Sequence, residues 1–373
     1  MKKHIIFLFL VSLIFKGFAQ QAPVYYITPF LDITTNSRII GFGEVGVVSS
    51  PFYKNTGVYQ NPALISKNGR FSGGNIIYIP WLRDKIDDLN LIGISGYYAI
   101  DSLNAFALNY TYLDMGNVMI NNEYGEYGGE KNPFEFYLKL GYKHSFNKTI
   151  STGIAIKYYK SEYYSSYYNY LTVNTFAVDV GFNYDKKYRL NQNSFLNTSA
   201  GIAINNFGPK VRYIEGDDKS FLPSKLSVGA FINPDIGIKD KYRLSIELGY
   251  QIEKYLVASN ENSDISSIEA LYVSFTDAPG GFEEELDEIR HKFGSELRFS
   301  IFDYGYVAFR HGRSVENEYK GNRNYQTFGY GIGAFGFMLD FMNIVADSDS
   351  PLNKTWAFSF GFQANLDKEL FKF

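Results

Sequence analysis

The stretch Trp356-Ala357-Phe358-Ser359-Phe360-Gly361-Phe362-Gln363-Ala364-Asn365-Leu366 alternates without a break. Trp356, Phe358, Phe360, Phe362, Ala364 and Leu366 fall on one face, and Ala357, Ser359, Gly361, Gln363 and Asn365 on the other. Successive side chains of a strand point to opposite faces, so this is a strand with one greasy and one wet side. Phe134, Phe136, Leu138, Leu140 and Tyr142 repeat the pattern against Glu135, Lys139, Gly141 and Lys143. Phe176, Val178, Val180, Phe182 and Tyr184 do so against Thr175, Ala177, Asp179, Gly181 and Asn183. Leu244, Ile246, Leu248 and Tyr250 stand against Ser245, Glu247, Gly249 and Gln251. The charges at mid-strand would be costly in a packed sandwich core, whereas a wet lumen tolerates them. Tyrosines gather toward strand ends (Tyr97-Tyr98, Tyr110, Tyr112, Tyr158-Tyr159), as interfacial girdles do.

Fourteen such segments begin near residues 71, 89, 104, 134, 149, 172, 195, 224, 242, 291, 304, 324, 336 and 354. Their connections keep a parity. Those after the second, fourth, tenth and twelfth are tight, whereas those after the third, seventh and ninth run over roughly 116–133, 208–223 and 257–290. Short periplasmic turns alternating with long external loops define an outer-membrane barrel, and a soluble sandwich has no reason to keep that order. The expected fold is therefore an all-β, transmembrane antiparallel β-barrel of about 14 strands.

Composition narrows the function. Among 373 residues, 36 Lys+Arg stand against 39 Asp+Glu, a net charge of −3 that leaves no footprint for nucleic acid. Cysteine is absent, which removes disulfide scaffolds, thiol nucleophiles and Cys-ligated metals. No cofactor is expected. Met1-Lys2-Lys3-His4, the apolar run Ile5 to Phe15, and Gly17-Phe18-Ala19 read as a secretory signal peptide over 1–19. Residues 20–68 do not alternate and are too few for a well-buried independent domain, so a hatch or plug inside the lumen is expected there, with the barrel over 69–373.

Gly41-x-Gly43-x-x-Gly46 and Gly331-x-Gly333-x-x-Gly336 match the dinucleotide fingerprint as strings but lack its βαβ frame, so tight turns and close packing account for them. His144, His291 and His311 are scattered and show no metal-ligand spacing, and no enzyme is expected. Ala278-Pro279-Gly280-Gly281 is a turn feeding a short acidic helix, Phe282-Glu283-Glu284-Glu285-Leu286-Asp287-Glu288-Ile289. Phe282, Leu286 and Ile289 give that helix one apolar face, and its carboxylates would ordinarily be solvated.

Several stretches resemble one family, the PorV proteins of the Bacteroidetes type IX secretion system. They are Ile77-Tyr78-Ile79-Pro80-Trp81-Leu82-Arg83 with Asp88-Leu89-Asn90-Leu91, and Ser274-Phe275-Thr276-Asp277-Ala278-Pro279-Gly280-Gly281-Phe282-Glu283-Glu284-Glu285-Leu286. Lys320-Gly321-Asn322-Arg323-Asn324-Tyr325 is a third. Gly41, Gly43 and Gly46, with Asn61 and Pro62, resemble that family's hatch region. Asn36-Ser37-Arg38 departs from the family's usual Asp-Ala-Arg, and Tyr163-Tyr164-Ser165-Ser166-Tyr167-Tyr168 is unusually Tyr-rich. The resemblance implies a FadL-like barrel in the outer membrane, surrounded by lipid and lipopolysaccharide. It implies that cargo proteins are collected through their C-terminal signal domains at an SprA-like translocon and delivered to a PorU-like sortase. The alternative is a FadL-like transporter of hydrophobic small molecules. The expected partner-binding residues are Trp81, Arg83, Asp277, Pro279, Gly280, Gly281, Phe282 and Leu286, since strand parity puts both of their loops outside the cell.

Overall fold

The computed structural model describes residues 24–48, 50, 60–65, 71–121, 124, 127–165, 169–239, 241–259, 264–301 and 304–365; the expected signal peptide lies outside them. The strands are β1 (Phe71–Pro80), β2 (Asn90–Ala99), β3 (Asn104–Asp114), β4 (Val118–Asn121), β5 (Tyr127–Lys131), β6 (Phe134–Ser145), β7 (Ile150–Ser165), β8 (Asn169–Arg189), β9 (Phe195–Phe207), β10 (Lys225–Ile238), β11 (Tyr242–Tyr255), β12 (Arg290–Ile301), β13 (Gly305–Val315), β14 (Tyr325–Ala334), β15 (Phe337–Ala346) and β16 (Trp356–Asn365). Fourteen of them form one closed antiparallel barrel, and β4–β5 is a separate hairpin in the connection from β3 to β6. Each barrel strand starts within three residues of its expected position.

Closure joins the two ends of the sheet. β1 pairs with β16 from Phe71↔Asn365 to Tyr78↔Phe358. Phe358, Phe360 and Phe362 point outward and are exposed, while Ala357 and Ser359 are buried on the inner side. The same division holds around the wall: Ile154, Ile156, Val180, Phe182, Ile246 and Leu248 face out, and Lys139, Lys157, Asp179, Glu247 and Glu296 face in, buried. The Tyr-rich connection, after the fifth barrel strand, departs from expectation. Tyr163 and Tyr164 belong to β7, because β7 and β8 stay paired as far as Ser165↔Asn169.

The N-terminal segment lies against the inner wall. It holds a 3-10 turn at Pro29–Asp32, the helix α1 (Ser37–Gly41) and a second 3-10 turn at Pro62–Leu64. Asn36 starts α1 by accepting the Ile39 N–H at 3.0 Å, and Asn61 accepts the Ala63 N–H at 2.9 Å. Arg38 reaches Glu247 at 2.6 Å and Glu296 at 3.2 Å. Lys292 bridges Glu44 and Glu253, both at 3.0 Å, and Lys225 holds Asp32 at 2.5 Å. Arg310 ties Glu296 to Asp340 across the wall. Buried charges persist only when paired, so a wall carrying this many requires the segment's Arg38, Asp32 and Glu44 as partners.

Space for the segment comes from glycines that sit opposite one another in the ladders: Gly153↔Gly181, Gly201↔Gly229, Gly249↔Gly294 and Gly294↔Gly312. A methyl group on Gly312 would fall on the Gly43 backbone, one on Gly294 on the Phe42 carbonyl, and one on Gly201 on the Val47 carbonyl. Gly43 itself has φ 68°, a conformation that favours glycine.

Two outcomes test this arrangement. Phe360→Arg, on the lipid face, should cost ~2–4 kcal/mol in unfolding measurements, whereas Gln363→Lys, at the mouth of the lumen, should cost about 0–1; equal costs would refute the facing of β16. Gly312→Leu should leave a heat-modifiable barrel but drive the N-terminal segment off the wall, at about 1–3 kcal/mol by overpacking, seen as new protease cleavage between residues 24 and 65.

Candidate functional site

The longest connection, between β11 and β12, carries two helices, α2 (Ser267–Val273) and α3 (Phe282–Asp287). The turn ahead of α3 closes through the Gly281 N–H donating to the Ala278 carbonyl at 2.9 Å, with Gly281 at φ 71°. Two glutamates of the helix bond back to it. Glu284 accepts the Gly280 N–H at 2.6 Å, and Glu285 accepts the Ala278 N–H at 2.8 Å. The same carboxylates then meet lysines from elsewhere on the rim. Lys320 contacts Glu284 at 2.6 Å and Glu288 at 3.1 Å; Lys254 contacts Glu285 at 2.9 Å and also Glu288. Asp277 accepts the Ser259 N–H at 2.7 Å, and burial, with Glu285 and Glu288 alongside, raises its carboxyl above the ordinary range.

This network inverts the helix relative to the sequence expectation. Glu284, Glu285 and Glu288 are buried, while Phe282 is 76% and Leu286 48% exposed. Two buried lysines attract the acidic face inward more strongly than the short apolar face can be buried, so the apolar face is left outside. Phe275, Ile268 and Tyr272 are exposed on the same connection. A groove of about 190 Å³ separates α3 from the outer wall, lined by Leu226, Val228, Ile252, Phe275, Phe282 and Leu286. Pro279, Gly280 and Gly281 are exposed in the turn that sets this helix.

Trp81 and Arg83 lie elsewhere on the rim, with the β13–β14 and β15–β16 connections between them and α3. The Trp81 N–H donates to the Leu89 carbonyl at 2.9 Å, and its half-buried ring lines the lumen. Arg83 contacts Asn90 at 3.1 Å and the Asp87 carbonyl within its own loop. The cavity beneath Trp81 measures about 400 Å³; Phe30, Ile33, Ile40, Leu113 and Met115 make it apolar, and Asp32, Glu44, Arg290 and Arg323 form its charged side. Of the glycine string, Gly41 packs on Gly329, Gly43 on Gly312 and Gly46 beside Gln60. Asn61 donates to the Val47 and Phe182 carbonyls, and Pro62 packs on Gly153.

Lys254, Lys320 and Arg323 are site residues that the sequence reading did not single out. Lys320 and Arg323 stand in a family-like stretch, but the glutamates that Lys320 holds and the Tyr255 that Arg323 reaches are distant in the chain. Arg323 bonds Glu316 at 2.7 Å and the Tyr255 hydroxyl, also at 2.7 Å. His144, His291 and His311 each contact a separate neighbour (Asn104, Tyr250 and Gln326), and among the described residues no acidic and histidine cluster could hold a metal.

A closed fourteen-strand barrel with a lipid-facing apolar band and charged residues lining its interior defines an outer-membrane protein. Residues 18–262 match the family described as Type IX secretion system protein PorV, and the chain belongs to that family. It is thus an outer-membrane component of the type IX secretion system. No curated protein matches it in sequence. Its structure is similar to the CymD monoaromatic hydrocarbon channel (8% identity, 89% of this chain and 97% of that one, TM-score 0.45). It is also similar to a FadL homologue of Pseudomonas aeruginosa (11%, 92% and 99%, 0.43) and to the toluene transporter TodX of Pseudomonas putida (8%, 89% and 97%, 0.40).

Replacing Lys320 by Met should leave Glu284 and Glu288 short of a cation in a buried site. A local loss of ~3–5 kcal/mol is expected, read as rapid proteolysis within 256–289 while the barrel stays heat-modifiable. Unchanged proteolysis would show that Lys320 does not hold α3.

Proposed function

We propose that this chain is a non-enzymatic carrier that binds the C-terminal signal domains of cargo at an SprA-like translocon and passes them to a PorU-like sortase at the lipopolysaccharide surface. The observation that carries this reading is the outward apolar strip of α3. Folding normally buries Phe and Leu, and here a built ion network holds Phe282 and Leu286 out at the rim of the barrel. A short, rigid, apolar ridge beside a groove supplies what a protein partner needs as an anchor, with Asp277, Pro279, Gly280 and Gly281 setting its angle. Trp81 and Arg83 act on this reading by shaping the β1–β2 loop at a second point of the rim. Residues 20–68 serve as the hatch, with Gly41, Gly43, Gly46, Asn61 and Pro62 seating it.

The luminal cavity favours a second reading, a transporter of hydrophobic small molecules, because its size falls within the ~300–1,000 Å³ of ligand pockets. Passage would have to displace a segment held by Arg38, Asp32 and Glu44, and that cost favours the carrier.

The double variant Phe282→Asp/Leu286→Asp separates the two readings. Under the carrier reading it assembles as a normal outer-membrane barrel, yet cargo attachment to the surface and co-purification of the sortase fall about thirtyfold, the loss of an anchor worth ~2 kcal/mol. Trp81→Ala should leave both nearly intact. Normal attachment in the double variant would overturn the assignment of α3 as the docking surface.

A further inference from the structure

Among the described residues, the longest run of barrel strand paired on one side only is the top of β8. β8 keeps β7 as a partner along all of this stretch, in a ladder that runs from Ile150↔Tyr184 to Ser165↔Asn169. On its other side the pairing with β9 ends at Val178↔Phe207, next to a register shift between Val178 and Val180. Asn169–Ala177 therefore forms an overhang of nine residues, about 30 Å of strand at ~3.3 Å per residue. The rest of β8, Val178 to Arg189, is long enough to cross the hydrocarbon, which takes ~9–11 strand residues. The overhang stands above it, on the side of the long connections.

The phase of its backbone follows from the ladder. The Asp185 N–H donates to the Thr149 carbonyl at 2.7 Å. The β7–β8 register runs on without a shift, so the odd residues of β8 direct N–H and C=O toward β7. The even residues, Thr172, Asn174 and Phe176, direct theirs to the open side. The Phe176 carbonyl does so visibly, since it lies beside Gly208. Among the described residues no backbone group pairs with Thr172 or Asn174 on that side.

Natural sheets protect such an edge with lysine, proline, inward charge or a bulge. Asn169-Tyr170-Leu171-Thr172-Val173-Asn174-Thr175-Phe176-Ala177 contains no charged residue and no proline, and Tyr, Thr, Val and Phe favour extended chain. The inner face is already covered, since Val173, Thr175 and Ala177 are buried. Only the edge is open.

We infer that the β8 overhang, Asn169–Ala177, binds its partner by strand addition, pairing the free backbone groups of Thr172 and Asn174 with an extended strand of the cargo signal domain. This rests on the carrier reading above and names how the cargo is held. Repeating donors and acceptors at strand spacing are satisfied in series only by another strand. A second copy is a poor occupant. Two copies in one membrane carry β8 in the same direction, so they cannot pair it antiparallel.

The test uses the full-length barrel in lipid nanodiscs and a purified C-terminal signal domain from a protein secreted by the same cells. Site-resolved hydrogen exchange follows the amides of Thr172 and Asn174, and binding is measured for the native chain, Asn174→Pro and Thr172→Pro. Either proline removes an edge donor and spares the β7 ladder, as prolines on edge strands do. The expected result is slowed exchange at both amides in the complex and affinity about tenfold weaker in each variant, with heat-modifiable migration unchanged. If the signal domain binds the native chain and the variants alike, with both amides exchanging freely, strand addition is overturned and the carrier reading stands. If it does not bind the native chain at all, the carrier reading fails and takes this one with it. Amide protection that grows with the barrel's own concentration, without signal domain, would overturn the choice of occupant. The exchange measurement on the native chain decides the matter even if a proline variant fails to assemble.

Discussion

Hydrocarbon offers no hydrogen bonds, so a sheet that crosses it must leave no backbone N–H or C=O open. That requirement forces β1 onto β16, and the ladder from Phe71↔Asn365 to Tyr78↔Phe358 is where the barrel becomes a barrel. Once the sheet is closed, every strand has a lipid side and an inner side, and the period of two assigns each residue to one of them. Phe360 and Ile246 face lipid for the same reason that Ser359 and Glu247 face inward.

Closure also creates the interior problem. The inner wall carries Lys139, Lys157, Asp179, Glu247, Glu296, Lys292 and Arg310, all buried. Some pair with one another across strands, as Arg310 does with Glu296 and Asp340. Others find their counter-ion on the N-terminal segment, as Glu247 does in Arg38 and Lys225 in Asp32. Glycines facing each other across the ladders bring backbone close enough to backbone for those pairs to form. The segment and the wall are two halves of one ion network, which accounts for the absence of alternation in the N-terminal sequence: it has no membrane to face.

The same electrostatics shapes the rim. Lys254 and Lys320 hold Glu284 and Glu285 of α3, with Glu288 just after it, beneath the surface, and the apolar side of the helix is exposed as a consequence. The exposed strip on α3 and the open edge of β8 are two places, among the described residues, where this fold leaves ordinary rules unmet. One exposes large apolar side chains and the other exposes backbone. Both lie on the side of the long connections, and the carrier reading proposed above makes them the surfaces a partner would cover.

Strand number, strand positions, the lipid face and the order of short and long connections were legible in the sequence, because alternation is local and each strand reports its own orientation. The family-like stretches around Trp81 and Asp277 marked the two loops of the candidate site. What they could not tell was direction. Glu284 and Lys320 are 36 residues apart in the chain, so nothing near the helix reveals that its acidic face turns inward and Phe282 outward. Trp81 read as a surface anchor, yet its ring lines the lumen, because the β1–β2 loop folds back through the Trp81–Leu89 hydrogen bond. The free edge of β8 depended on where β9 stops, a relation between two strands that neither carries in its own pattern. The sequence by itself determined which residues form strands and which side of each meets lipid. Tertiary structure alone decided which charges meet inside, which helix face is exposed and which strand is left without a neighbour, since pairing across space is set by closure and not by the spacing of residues along the chain.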